Sequence, residues 1–230
     1  MAEVNIEGKD GTFMVYVAIP EVTPAPGIVV AQEIFGVNQV MRETCDWLAS
    51  QGFVAACPDL FWRIEPGIQL TDQSQAEWDR AFELFGLFDV DKGIEDLKTT
   101  LGMLNAHMVS NGKSGTLGYC LGGKLAYLMA TRSDADANVG YYGVGLGELL
   151  GEAGAISHPL MLHIAEKDQF SSAEEIAKVQ EGLTGNDQVT VHVYDGQDHA
   201  FARKGGAHYD AASAELANQR TVDFFKQALA

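Results

Sequence analysis

The feature that most narrows the fold is the segment Lys113–Leu125, K-S-G-T-L-G-Y-C-L-G-G-K-L. A short strand runs into Gly118-Tyr119-Cys120-Leu121-Gly122, and a helix follows. In a G-x-C-x-G turn the central residue takes a strained backbone conformation. Glycines are needed two before and two after it, because a Cβ there would collide with neighbouring backbone. The rest of the chain repeats the same alternation. β-rich runs at Phe13–Ile19, Gly27–Ala31, Phe53–Cys57, Gly115–Tyr119, Val139–Tyr142, Leu160–Ala165 and Val189–Tyr194 are separated by helical periodicity. Met41–Gln51 spaces Met41, Cys45, Leu48 and Ala49 as one helix face, and a last helix within 207–230 is anchored by Leu216, Val222 and Phe225. Strands apolar enough to be covered on both sides predict an α/β fold, a mostly parallel sheet with helices on each face. With 230 residues, 47% of them hydrophobic, and no repeat, low-complexity tract or linker, one domain over residues 1–230 is expected.

Composition removes several function classes. The chain carries 32 Asp+Glu against 15 Lys+Arg, a formal charge of −17. It lacks the clustered cations with which nucleic-acid binders neutralise phosphates, so no nucleic-acid partner is expected. No apolar run reaches the roughly 18 residues of a membrane helix. Residues 1–10 also lack a basic segment followed by an apolar one, so a cytoplasmic protein without membrane association is expected. Three cysteines without CxxC spacing argue against a disulfide framework and against a metal site, and no cofactor motif occurs. Cys45 on an apolar helix face and Cys57 at the end of an apolar strand read as small core residues.

Cys120 is different. The helix after it offers unpaired N–H groups and a positive dipole end, which favour a thiolate and a developing oxyanion. A thiol with an ordinary pKa of about 8.5 is only slightly ionised at neutral pH, so a nucleophilic Cys needs a base and an acid to orient it. The strand Leu160–Ala165 leads to Asp168, and the strand Val189–Tyr194 leads to His199, each on a loop at a carboxyl strand end. Nucleophile, acid, His is the chain order of the α/β-hydrolase fold, and strand carboxyl ends are where such sheets bind ligands. By residue type alone Asp198 and Glu166 compete with Asp168. His107, His158, His163, His192 and His208 lack a comparable context and read as structural. A second constellation, Gln32-Glu33-Ile34-Phe35-Gly36, follows the strand Gly27–Ala31. A carboxylate just past a buried strand must meet water, a cation or a donor, so Glu33 is placed in the site. The backbone N–H groups of Ile34 and Leu121 are the expected oxyanion donors. Arg63–Gln75 interrupts the rhythm as a polar excursion, either a rim or lid or an ordinary surface connection.

Taken together, the chain resembles the dienelactone hydrolase family of the α/β-hydrolase superfamily. The resemblance runs nearly end to end. It rests on A-Q-E-I-F-G-V-N (31–38), M-R-E-T (41–44), C-P-D-L (57–60), S-N-G-K (110–113), G-Y-C-L-G-G (118–123), G-Y-Y-G-V-G-L (140–146), the Asp168 loop and H-A-F-A-R (199–203). It implies a cofactor-independent monomer that opens a small lactone. Cys120 would attack the carbonyl, His199 shuttle the proton, Asp168 orient His199, and Glu33 activate a thiol that otherwise rests neutral. An acyl-thioester would form at Cys120 and then be hydrolysed. The family substrate carries a carboxylate normally met by two arginines, of which one corresponds to Arg203. At the other position this chain has Trp78, with Arg80 about 200° further round the helix, and a nearby tyrosine position is Phe82. Phe35, Trp78, Arg80 and Tyr142 are the remaining candidates for substrate contact. The alternatives are an esterase for less charged small esters, or a non-catalytic ligand-binding protein on the same fold.

Overall fold

The computed structural model describes residues 2–230 and divides into two compact units, one of chain up to Ser114, the other from Gly115 onward. The first contains β1 (Ala2–Gly8), β2 (Gly11–Ala18), β3 (Ala25–Ala31), α1 (Gln39–Ser50), β4 (Val54–Pro58), α2 (Gln75–Leu87) and α3 (Val90–Ala106). Its strands lie in the order β1-β2-β4-β3. β1 and β2 form an antiparallel hairpin, β2 runs antiparallel to β4, and β3 runs parallel to β4. Every residue of β4 is buried, so both of its faces are covered, with α1 and α3 packed on this sheet. Asn38 caps α1, its Oδ1 accepting the Met41 N–H at 3.2 Å.

The second unit is built on β5 (Ser110–Tyr119), which begins just before the division, followed by α4 (Leu121–Arg132) and β6 (Ala137–Tyr141). Two 3-10 turns (Leu146–Glu148 and Leu150–Ala155), β7 (Leu160–Ala165), α5 (Ala173–Leu183), β8 (Val189–Tyr194) and α6 (Ala211–Ala228) complete it. The order β5-β6-β7-β8 is parallel throughout. β6 and β7 are buried along their whole length, and α4 and α6 pack on them.

The expected strands are all present, with ends shifted by a few residues. β1 had no counterpart in the sequence reading. It is an edge strand whose outer residues are exposed, and such a strand carries little apolar signal. Leu216, expected as an anchor of the last helix, is 46% exposed; Ala214, Ala217, Thr221, Val222 and Phe225 are its buried positions. The excursion after Arg63 is clasped to the loop that follows β3. Gly36 and Gln69 form an antiparallel bridge, the Leu70 N–H donates to the Phe35 carbonyl (2.9 Å), and Asn38 Nδ2 donates to the Leu70 carbonyl (2.9 Å). Arg63 is held by a bidentate pair with buried Asp96. Among the described residues no helix is long and apolar enough to cross a membrane.

Candidate active site

In the second unit the chain turns sharply between β5 and α4. Cys120 sits at that turn with φ 55° and ψ −114°, a backbone state costly for any residue with a Cβ. A Cβ on Gly118 would fall 1.9 Å from the Gly122 carbonyl oxygen, so the first glycine of the motif is required by contact with the second. The Cys120 N–H donates to the Tyr141 carbonyl on β6 (3.0 Å), and the Cys120 carbonyl accepts the Lys124 N–H (3.1 Å), starting α4. Leu121 is the first residue of α4, so its N–H has no acceptor within the helix.

The loops after β7 and β8 bring Asp168 to His199. His199 Nδ1 donates to Asp168 Oδ2 at 2.8 Å, with both side chains buried. Asp168 Oδ1 accepts the Phe170 N–H (2.9 Å), which fixes the carboxylate in the loop. The two competing acids are occupied elsewhere. Asp198 Oδ1 accepts the N–H groups of Gln169 and His199, and Glu166 Oε2 accepts the Gly196 N–H. Both therefore clamp one loop to the other. The His199 ring is held edge-on by Tyr142 (5.0 Å between centroids) and Phe170 (4.8 Å).

Burial alone would lower the pKa of His199 from its ordinary 6.5. The Asp168 bond, together with the negative charge that a Cys120 thiolate would carry, outweighs burial and raises it to about 10. The Cys120 sulfur thus lies near enough to stabilise an imidazolium. His199 Nε2 is nonetheless buried without a closed hydrogen bond among the described residues, a looseness common before substrate binds. Cys120 itself is 8% exposed, and Arg203 is buried three residues beyond Ala200, to whose carbonyl its N–H donates.

In the first unit, Glu33, Ile34 and Phe35 lie in the turn after β3, all buried. Phe35 meets Trp78 edge-on (5.0 Å), and Trp78 stacks on Phe82 (5.5 Å) while its Nε1 donates to the Asp72 carbonyl. Arg80 is committed elsewhere, donating to Glu65 and Glu83 (2.5 Å each) at the surface. The structure therefore joins Phe35 to Trp78 and commits the Arg80 guanidinium to Glu65 and Glu83. Of the other cysteines, Cys45 and Cys57 are fully buried thiols. No cluster of three or more His, Cys, Asp or Glu suited to a metal occurs among the described residues. Sequence reasoning gave Phe170 no role and read His163 as structural without naming its partners. A histidine within the apolar strand L-M-L-H-I-A was the available signal for the latter, since a buried polar ring needs partners.

The model of the "Dienelactone hydrolase family" matches residues 13–229. A protein of Azospirillum brasilense, provisionally named a carboxymethylenebutenolidase, is 55% identical over 232 residues, covering 100% of both chains. The carboxymethylenebutenolidase of Pseudomonas putida is 43% identical over 222 residues, 96% of this chain and 94% of that one. A crystal structure from Klebsiella pneumoniae subsp. pneumoniae, provisionally assigned as a dienelactone hydrolase, superposes with a TM-score of 0.88. It is 26% identical, with 98% of each chain covered.

Proposed function

Because this chain belongs to the dienelactone hydrolase family and has the α/β-hydrolase fold, we propose that it hydrolyses a small lactone through Cys120, His199 and Asp168. The observation that carries the reading is the 2.8 Å bond from His199 to Asp168 on loops after two strand ends, beside the strained Cys120 turn; that bond first, and the Cys120 sulfur with it, raise the His199 pKa to about 10. In this mechanism the Cys120 thiolate attacks the lactone carbonyl carbon, and the carbonyl oxygen becomes an oxyanion met by the N–H groups of Leu121 and Ile34. The C–O bond of the ring breaks as the oxyanion collapses. The leaving oxygen takes the proton from His199 Nε2, leaving an acyl-thioester on Cys120. Neutral His199 then removes a proton from water, the hydroxide adds to the thioester, and Cys120 leaves as a thiolate that re-forms the pair with imidazolium. Asp168 remains ionised and keeps Nδ1 protonated, so that Nε2 faces the chemistry. Glu33 is the proposed group that assists formation of this thiolate–imidazolium pair, passing the Cys120 proton on to His199.

Arg203 is the proposed partner of a substrate carboxylate, bidentate through its guanidinium. A second reading, an esterase for less charged small esters, is favoured by one observation. Arg80 is held by two glutamates, and the position of the second family arginine is an indole packed between two phenyl rings.

The test is steady-state hydrolysis of cis- and trans-dienelactone beside an uncharged ester, with wild type and Cys120→Ala. Cys120→Ala should lower kcat by about 10³-fold or more while leaving the circular-dichroism spectrum unchanged. Undiminished turnover in this variant overturns the mechanism. Brisk Cys120-dependent ester cleavage with slow lactone turnover selects the second reading.

A further inference from the structure

The second unit contains a run of buried polar side chains that the proposed chemistry leaves unused. At its centre is His163 on β7, fully buried and hydrogen-bonded at both ring nitrogens. Nδ1 lies 2.7 Å from the Tyr194 hydroxyl, and Nε2 lies 3.0 Å from Thr221 Oγ1. Thr221 Oγ1 in turn lies 2.6 Å from the Tyr141 hydroxyl, which donates to Asn218 Oδ1 at 3.1 Å. At the other end Arg220 donates to the Tyr194 oxygen at 3.2 Å.

Each hydroxyl has one proton, and this count fixes the direction of the chain. Tyr141 spends its proton on Asn218, so the short contact with Thr221 requires Thr221 to donate. With the threonine proton used, the contact between Thr221 and Nε2 requires Nε2 to donate. A neutral ring protonated at Nε2 has a lone pair at Nδ1, so Tyr194 donates there, and the Arg220 guanidinium, which can only donate, supplies the Tyr194 oxygen. Every bond is satisfied in one arrangement. Burial, with the His192 ring and Arg220 nearby, holds His163 well below the ordinary range, in keeping with a neutral ring.

The chain reaches the reacting groups through Tyr141 and Tyr142. The Tyr141 carbonyl accepts the Cys120 N–H, and a Cβ on Gly123 would lie 2.4 Å from that oxygen, so the elbow rests on this peptide. The next residue, Tyr142, has φ 37°, donates its N–H to the His163 carbonyl at 2.7 Å, and sets its ring against His199. We propose that His163, locked as the neutral Nε2–H tautomer in a one-way hydrogen-bond chain from Arg220 to Asn218, is a positioning residue for Cys120 and His199. The inference rests on Cys120 and His199 being the reacting pair.

Two readouts test it, and neither needs the correct lactone. In wild-type protein labelled with ¹⁵N-histidine, a long-range ¹H–¹⁵N correlation spectrum identifies the His163 tautomer, the ring being assigned through its contact with Tyr141 (4.3 Å between centroids). Nε2–H is expected at neutral pH; Nδ1–H, or a protonated ring, overturns the proposal. The second readout is the rate of Cys120 alkylation by iodoacetamide in Thr221→Val and Thr221→Ser, with kcat and KM measured on whichever ester the wild type cleaves. Thr221→Val should slow alkylation and lower kcat by about tenfold with KM within about twofold, and Thr221→Ser should restore both. A folded Thr221→Val protein with unchanged alkylation and kcat overturns the positioning role. Should Cys120→Ala retain turnover, the nucleophile assignment fails while the tautomer result still stands on its own.

Discussion

Three non-glycine residues among those described have positive φ: Cys120, Tyr142 and Ala200. One is the proposed nucleophile, one packs against His199, and one follows His199 in the chain. Strain of this kind costs about 1–3 kcal/mol per residue and persists only where the surroundings over-determine it. Here the surroundings are the Tyr141 carbonyl, the His163 carbonyl and the clamped loops after β7 and β8. The raised pKa of His199 has a consequence for stability. From its ordinary 6.5 it moves to about 10 in the folded protein, so between these values the folded ring holds a proton that the unfolded ring has lost. Its contribution is therefore complete below about pH 6.5 and fades as the pH rises toward 10, with a slope of up to about 1.4 kcal/mol per pH unit. Urea denaturation from pH 6 to 10 should show wild type losing stability over this window and His199→Asn following a flatter course. Parallel curves would mean that His199 is not held as an imidazolium.

At the level of elements, the junction of β5 with α4 makes the strictest demand on sequence. Its tightest contact is between Gly118 and the Gly122 carbonyl, and backbone on both sides leaves no side chain to move aside. Gly118→Ala should destabilise the protein by about 3 kcal/mol or more, or prevent folding. An unchanged midpoint in urea would show that the turn has room for a Cβ. The turn after β3 is constrained differently. A Cβ on Gly36 would lie 2.0 Å from the Ile68 carbonyl oxygen, which keeps the 67–70 stretch against the loop carrying Glu33, Ile34 and Phe35. The polar excursion is therefore a clasp on that loop. On α2 the sequence put Trp78 and Arg80 on different sides, and the structure explains why this matters: the indole joins Phe35, and the guanidinium joins Glu65 and Glu83.

At the scale of the whole chain, the division after Ser114 and the expectation of one domain make different predictions for unfolding. The family match spans residues 13–229, across that division, so one cooperative thermal transition is expected by both fluorescence and circular dichroism. Two separated transitions would show that the units fold independently. The sequence alone was enough for the alternation of strands and helices, because buried parallel strands are apolar on both faces and stand out from helical spacing. The elbow was equally legible, since its glycines are dictated by backbone contacts a few residues apart. Asp168 and His199 could be named because each follows a strand end, a position set by local pattern. Local pattern favoured Asp168 while Asp198 and Glu166 competed with it by residue type; which carboxylate meets the His199 ring was decided when two loops came together and gave each its donor. Local pattern could not foresee that Arg80 would be taken by Glu65, fifteen positions away, or that His163 would find Thr221 on the last helix. Sequence spacing carries information along one element, whereas the partner of a charged or polar side chain is decided by which elements the fold brings side by side.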